Sequence, residues 1–510
     1  MDGEEAFTQL RAQTEAWLAS ITPSDYLKLL RMPKKDDVKI IRDAVSGYQI
    51  LKPHEYLVLD HPILQRLRYI HQTALAYLVY PTANHTRFDH SLGCAKIAQE
   101  IGVRLIPEDK TRIAELRLAA LLHDIGHTFF SHLSETIMES HFKDFYDALS
   151  EAKEFKGLKL KLSEMMSYLI VTSETFHNFL DRVVHYYYES GFDLDNVAKL
   201  IIHKPSNSTL AYMADIISGP FDVDKLDYLV RDCYFTGIRA DVDVERVVIS
   251  TSILDKDRFP ATDPKWQRRS LVMLAGGVSI LEQITFNKML LFPAIYHHHK
   301  VRALECMVKS IFEIIWENGQ LKDHRLKFND ILDFYKLTEP EFFTLAKAEP
   351  QLEPIIDRLL KRDLLERCLV LLPRYAKDPS GWKHLGKRHY EDDPGQIKWL
   401  RECIWQELPP KIRGIVSICD LWVDIPKTPD LGGPDVAFVD IGTSELLSLS
   451  EFFSYPHWIS AYETNKLKGH VFSLCAEEIR KAVNKVAKKV LKEQFGLEFK
   501  PRATQECRLG

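Results

Sequence analysis

The chain has 510 residues, 45% hydrophobic and 27% charged, a balance that supports large buried cores and excludes a disordered or fibrous polypeptide. Sixty-seven basic residues against 72 acidic ones leave a formal charge of -5, so no overall basic field draws the molecule to nucleic acid, and any polyanion site must be local. The eight cysteines form no C-x-x-C pair, the N-terminus is acidic without an apolar leader, and no run of about 18 apolar residues occurs; a cytoplasmic protein without zinc fingers, structural disulfides or membrane segments is expected.

Residues 1–38 read as an N-terminal helical extension, with Phe7, Leu10, Trp17 and Leu18 near helical spacing and Thr22-Pro-Ser-Asp25 in the form of a capping box that opens a second short helix. The mix of β-branched and charged residues from Val38 to Val45, followed by Gly47, predicts a small strand and turn. From about 55 to 325 the chain is rich in strong helix formers, as in Ala114 to Leu122, Ile280 to Ile284 and Val301 to Trp316. Beyond 330, prolines 373, 409 and 410 interrupt the chain, and Arg413 to Cys419 and Asp435 to Asp440 read as strands. The predicted fold class is therefore mainly α: a helical bundle over 39–330 with a small β element, then a mixed α+β lobe over 331–510. In its last helix, about 476 to 495, Ile479, Val483, Val486 and Val490 form one stripe and Lys481, Lys485, Lys488 and Lys492 the opposite one. Such a lysine stripe is ordinarily a solvated face, with nucleic-acid contact as the alternative.

The chemistry lies in three short segments: Arg87-Phe-Asp-His90, Leu-Leu-His123-Asp124-Ile-Gly-His127, and Phe-Asp-Val-Asp224-Lys225. Two imidazoles and two carboxylates offer mixed nitrogen and oxygen ligands to a divalent ion and leave positions open for water or phosphate. A helix ending at His123-Asp124 would carry both on its last turn, with Gly126 letting the chain turn back to bring His127 and His132 nearby. Asp124 and Asp224 beside apolar runs are easiest to understand with a cation present. Arg87 and Lys225 could neutralise phosphate oxygens, and Glu135, one helical turn from His132, could orient that imidazole for proton transfer. The triple histidine 297–299 cannot face one ion, because successive helical positions fan out by about 100°; one of the three, His298, is expected to face the pocket.

These residues, with the blocks Asp60 to Gln72, Tyr80 to Gly93, His123 to His132, Asp222 to Asp232 and His299 to Val301, resemble the HD-domain phosphohydrolase superfamily and, within it, the deoxynucleoside triphosphate triphosphohydrolases. The likeness spans about 39–325, and residues 1–38 are too short for the sterile-alpha-motif domain some members carry. It implies that His90, His123, Asp124 and Asp224 hold a divalent metal (Mn, Mg, Fe, Co or Zn), while Arg87, His127, His132 and Lys225 engage the triphosphate, with His132, His127, Glu135 and Arg87 as the catalytic set. It further implies that Gln72 and Asp232 contact the sugar 3′-hydroxyl and that Tyr228 packs on the deoxyribose. Asp60 and Arg68 match a guanine-nucleotide activator site, implying a homodimer or homotetramer, with a local salt bridge as the plain alternative.

Three departures stand out. Where the family has a His-Glu pair, the chain reads Leu158 to Met166 without histidine, with His141 of a preceding insert as a substitute. A family tyrosine near the base is replaced by His297, and its Ile-His-Gly by Val45-Ser46-Gly47. The expected activity is dNTP hydrolysis to deoxynucleoside and tripolyphosphate; the alternatives are another nucleotide or phosphoester substrate, or a weakly catalytic protein that senses nucleotides or binds nucleic acid.

Overall fold

The computed structural model describes residues 1–23, 26, 30–188, 190–240, 242–254, 269–318, 321–390, 392–429, 438–442 and 446–509. Helix α1 (Gly3–Ile21) starts on a capping box between Asp2 and Glu5 and buries Ala6, Leu10, Trp17 and Leu18. The capping box expected at Thr22 to Asp25 falls partly outside the described residues. Strands β1 (Lys39–Asp43) and β2 (Gly47–Leu51) form the expected hairpin, turning at Gly47, whose φ of +74° suits glycine.

A helical bundle follows. Its centre is α2 (Arg87–Leu105) packed along α3 (Lys110–Leu122); α4 (His132–His141), α5 (Leu162–Val171) and α6 (Val223–Thr236) close over them. The long helices α7 (Val278–Ala294) and α8 (His299–Asn318) lead toward the C-terminal part. The fold is mainly α, as the helix-forming runs predict. No helix among the described residues is long and apolar enough to cross a membrane.

Two features depart from the sequence reading. Inside the helical stretch, β3 (Thr251–Leu254) and β4 (Ser270–Leu274) pair antiparallel, and β4 then pairs in parallel with β7 (Phe438–Asp440), itself paired with β8 (Leu446–Ser448). One sheet thus joins strands from both sides of residue 330. The expected strand Arg413 to Cys419 is instead a helical turn, Pro410–Arg413, and a 3-10 turn, Ile418–Asp420. Pro410 stands at the first helical position, where proline is preorganised, and Asp420 accepts from Ser417 N and Oγ. The strand follows as β6 (Trp422–Asp424), which with β5 (Glu366–Leu371) flanks β9 (Gly469–Ser473). Phe438–Asp440 is a strand as expected; Asp435 to Ala437 lie outside the described residues.

The last helix, α9 (Glu477–Phe495), buries Ile479, Val483, Val486 and Val490. Of the lysine stripe, Lys481 pairs with Glu477, Lys492 with Glu498, and Lys488 donates to Thr504 Oγ1, which is the behaviour of a solvated face. One continuous apolar core runs through the molecule. At its heart Phe129 stacks near Phe312, Phe334 and Phe342, with ring centroids 5.0–6.5 Å apart, so the segment just after His127 is packed against residues from beyond 300.

Candidate active site

The first turn of α2 carries Arg87 and His90. It is fixed by Thr86, whose amide and hydroxyl both donate to the Asp89 carboxylate at 2.9 Å. His123 caps the end of α3, and Asp222 caps α6 one turn ahead of its partners. These ends converge: Nε2 of His90 lies 3.0 Å from Asp224 Oδ1 and 3.7 Å from Asp124 Oδ2, and Nε2 of His123 lies 3.4 Å from Asp124 Oδ1. These three spacings are close to those of donor atoms that share an ion bound at about 2.0–2.2 Å, and two imidazoles with two carboxylates are a donor set suited to a divalent cation.

The imidazoles are turned for the task. Nδ1 of His90 donates to Asp227 Oδ2 and Nδ1 of His123 to the Ala120 carbonyl, each at 2.8 Å, which leaves both Nε2 atoms facing the cluster. Burial opposes the charge on Asp124, but Arg87 first and then His123, His127 and His90 hold it well below the usual carboxylate range. Asp224 is likewise held down against burial by His90 and His123. Cys94, absent from the sequence-based set, packs with Sγ 3.5 Å from His90 Nε2; its sulfur and donor atoms of His90 and His123 all lie within 4.8 Å of one another, and burial pushes its thiol far up.

The turn after His123 is held from three sides. Gly126 is needed for close approach: a Cβ there would meet Ser163 O at 2.1 Å and Ser167 N at 2.4 Å. Ser167 accepts from Gly126 N and donates to the His123 carbonyl. Arg66 Nη2 donates to the carbonyls of Ile125 and His127, and Tyr335 OH donates to the Gly126 carbonyl at 2.6 Å. Phe130 and Ser131 both carry positive φ, 58° and 49°, a conformation that costs non-glycine residues about 1–3 kcal/mol each. Glu339 holds it by accepting from Phe130 N and His71 N, while Ser131 Oγ donates to the His71 carbonyl.

Beside this cluster, Arg87 donates from Nη1 to Asp124 Oδ2 at 2.6 Å and from Nε to Ser131 Oγ at 3.0 Å. His127 and His132 stand edge to face, centroids 4.9 Å apart, and Nδ1 of His132 donates to Glu135 Oε2 at 2.9 Å. The side chain of His132 is 57% exposed while Glu135 is 7% exposed, so the pair has a buried foot and an open head. Burial, with Arg87, depresses His127 well below the usual imidazole range; burial and Lys161 lower His132 against the pull of Glu135. Both directions favour the neutral imidazole near pH 7.

Lys161 was not singled out by its sequence. It precedes α5, whose Ser163 amide donates to Glu135 Oε1 at 2.9 Å, which docks this helix end beside His132. Burial lowers the Lys161 ammonium, but Glu135, Glu164 and Asp224 more than restore its charge. The residue as a whole nonetheless keeps surface open to solvent. His141, the suggested substitute for the missing histidine, stacks instead on Trp316 at 3.5 Å and 3°.

The remaining predicted residues take other positions. Lys225 donates to the Gly219 carbonyl and to Asp222. Asp232 is buried with both oxygens engaged, by His85 Nε2 at 2.7 Å and by Tyr296 OH; it is thus Tyr296 of the Tyr-His-His-His run that reaches a candidate residue. His298 lies edge-on to Tyr80 and accepts from Lys300 N at the start of α8. Tyr228 is half-buried on α6, and Gln72 is buried. Asp60 pairs with Lys39 at 3.1 Å, while Arg68 lies 3.7 Å from the Phe88 ring, so the two do not bridge each other. Four buried polar atoms of the candidate set make no hydrogen bond within the protein: His123 Nε2, His127 Nδ1, Arg87 Nη2 and Gln72 Oε1. Two surface hollows of about 410 and 350 Å³ around His177 and Asp195 are lined by none of the candidate residues.

The HD domain family matches residues 87–231 and the HD associated region matches residues 242–391. An uncharacterized protein of Methanocaldococcus jannaschii is 32% identical over 289 residues, 56% of this chain and 52% of that one. The deoxynucleoside triphosphate triphosphohydrolase SAMHD1 homolog of Dictyostelium discoideum is 27% identical, covering 63% of this chain and 57% of that one. Deoxynucleoside triphosphate triphosphohydrolase SAMHD1 of Mus musculus is 26% identical, covering 73% and 59%. The chain therefore spans between about half and three-fifths of the length of these relatives. The crystal structure of a hypothetical protein from Aquifex aeolicus shares the fold, with a TM-score of 0.61 at 20% identity, over 89% of this chain and all of that one. Its sequence motifs, its helical bundle and both family matches agree that the chain carries an HD domain followed by an HD associated region.

Proposed function

We propose that the chain is a metal-dependent phosphohydrolase whose substrate is a deoxynucleoside triphosphate, cleaved to deoxynucleoside and tripolyphosphate. The observation that carries this reading is the set of four buried polar atoms without a hydrogen bond beside an exposed lysine. Buried polar atoms in proteins are ordinarily satisfied by protein or water, and the grouping of these four around two carboxylates and three histidines supports a site for a polar ligand. The mixture of donors suits a metal ion and the phosphate oxygens it would share.

In this reading His90, His123, Asp124 and Asp224 hold the ion, which when bound polarises a phosphoryl oxygen and favours the hydroxide form of water. Arg87 Nη2 and the Lys161 ammonium bind phosphate oxygens, the arginine already aimed by Asp124 and Ser131. Glu135 holds the Nδ1–H of His132, so the free Nε2 of that neutral imidazole can take a proton from the attacking water. The water oxygen adds to the α-phosphorus, the bond from that phosphorus to the 5′-oxygen breaks, and the proton ends on the departing deoxynucleoside. Tyr228, Gln72 and Asp232 form the sugar end, where Tyr228 excludes a 2′-hydroxyl.

The test is to incubate metal-loaded protein with each dNTP and NTP, with and without GTP or dGTP, and to separate the products by ion exchange. Deoxynucleoside plus tripolyphosphate is the expected result, and a requirement for guanine nucleotide would assign Asp60 and Arg68 to activation in a homo-oligomer. Turnover of another phosphoester alone would keep the hydrolase and replace the substrate. Binding of dNTP without turnover would move the assignment to a sensor.

A further inference from the structure

His90 is one end of a buried chain of charges that leads away from the cluster. Its Nδ1 donates to Asp227 Oδ2. Arg231 grips the same carboxylate with Nε at 2.7 Å and Nη2 at 2.9 Å. The other side of that guanidinium holds Asp43, Nη1 to Oδ1 at 2.8 Å and Nη2 to Oδ2 at 3.2 Å. Asp43 is the last residue of β1, and its Oδ2 also accepts from Val45 N at 3.0 Å, Ser46 N at 2.6 Å and Ser46 Oγ at 2.8 Å. The carboxylate is therefore the hub of the hairpin turn. Arg231 is fully buried, and Asp43 and Asp227 nearly so.

There is no slack in this chain. Gly93, one turn along α2 from His90, is where the network crosses the helix: a Cβ there would fall 1.8 Å from Asp227 Oδ1 and 2.4 Å from Arg231 Nη2. A buried ion network of this kind contributes little net stability, because desolvation offsets attraction, but it specifies one arrangement of the groups it joins. Residues that orient a metal-bound imidazole through its second nitrogen tune the affinity of the site. Here that orienting carboxylate is itself oriented from the turn of a hairpin far away in sequence.

We propose that the β1–β2 hairpin is a positioning element for the ion-binding imidazole of His90, acting through Asp43, Arg231 and Asp227, so that order in the hairpin turn and ion binding are linked. The linkage is reciprocal: what tightens the turn tightens ion binding, and the bound ion tightens the turn by the same free energy. Asp43, Arg231 and Asp227 are positioning residues that touch neither ion nor substrate. The inference rests on the reading of His90 as a metal ligand and not on the identity of the substrate.

The experiment uses the full chain, stripped with chelator and titrated with Mn²⁺ or Co²⁺. Asp43→Asn is expected to weaken ion binding by about tenfold or more and to alter the visible spectrum of the Co²⁺ form. Ser46→Ala, which keeps every charge and removes one bond to the hub, is expected to show a smaller loss in the same direction and stands in if Asp43→Asn does not fold. In the wild type, added ion should slow hydrogen exchange of the Val45 and Ser46 amides. Unchanged affinity in the folded variants together with unchanged exchange at the turn overturns the linkage while leaving the metal site intact. A wild type that binds no ion overturns the metal reading and the linkage with it.

Discussion

At the scale of single residues, charge at the cleft decides binding and burial decides acid stability. A hydrogen bond to a charged group is worth about 1.5–3 kcal/mol, so Lys161→Ala should lower kcat/KM by about ten- to a hundredfold, with Lys161→Arg recovering part of it; steady-state kinetics on the hydrolysed substrate measures both. Away from the site, His54 is enclosed by Tyr187, Tyr188 and Phe192, and burial pushes its pKa down to about 4 from 6.5. The unfolded chain takes up a proton there that the folded protein refuses. The stabilisation is whole above pH 6.5 and is lost as the pH falls through 4, by roughly 3 kcal/mol at 1.36 kcal/mol per pKa unit. Denaturant titrations across that window should show a flatter pH dependence for His54→Phe than for the wild type. His90, His123, Asp124 and Asp224, the proposed ion ligands, stand out in the sequence because polar groups interrupt apolar helical runs there, and the structure brings their side chains together. Lys161 was not, since a lysine before a helix looks like any surface residue until Ser163 and Glu135 dock that helix end beside His132.

At the scale of elements, the hairpin, α3, α8 and the stripe of α9 followed from spacing, helix formers and turn residues. The short strands did not. Thr251–Leu254 and Ser270–Leu274 have too few residues to show alternation, and the second is completed by a strand far along the chain. The sequence marks Gly126 as an exit from the helix, and the structure adds that its missing side chain lets α5 approach. Gly126→Ala should therefore separate α5 from the turn. An overpacked core change of this kind costs about 1–3 kcal/mol or more, and ion affinity should fall with stability, measured by calorimetry on loaded and stripped protein. Tyr335→Phe leaves the Gly126 carbonyl buried without its donor and should cost about 1–3 kcal/mol, read as a shift in the urea midpoint at unchanged slope.

At the scale of the whole molecule, the segment after residue 242 is a structural half of the site. Glu339, Tyr335 and the rings of Phe312, Phe334 and Phe342 all bear on the turn between His123 and Ser131. A fragment ending at residue 240 should lack the buttress that holds Phe130 and Ser131 at positive φ, and circular dichroism with ion binding would show it to be poorly folded and ion-free. No local pattern in the sequence announces contacts that span over two hundred residues. The parallel pairing of Met273 and Leu274 with Val439 and Asp440 has one more consequence. On a translating ribosome, β4 emerges about 165 residues before the strand that completes it, a delay on the order of ten seconds at ordinary synthesis rates. For that interval one edge of β4 is an open template for pairing with another chain, a hazard that ends only when Phe438–Asp440 arrives.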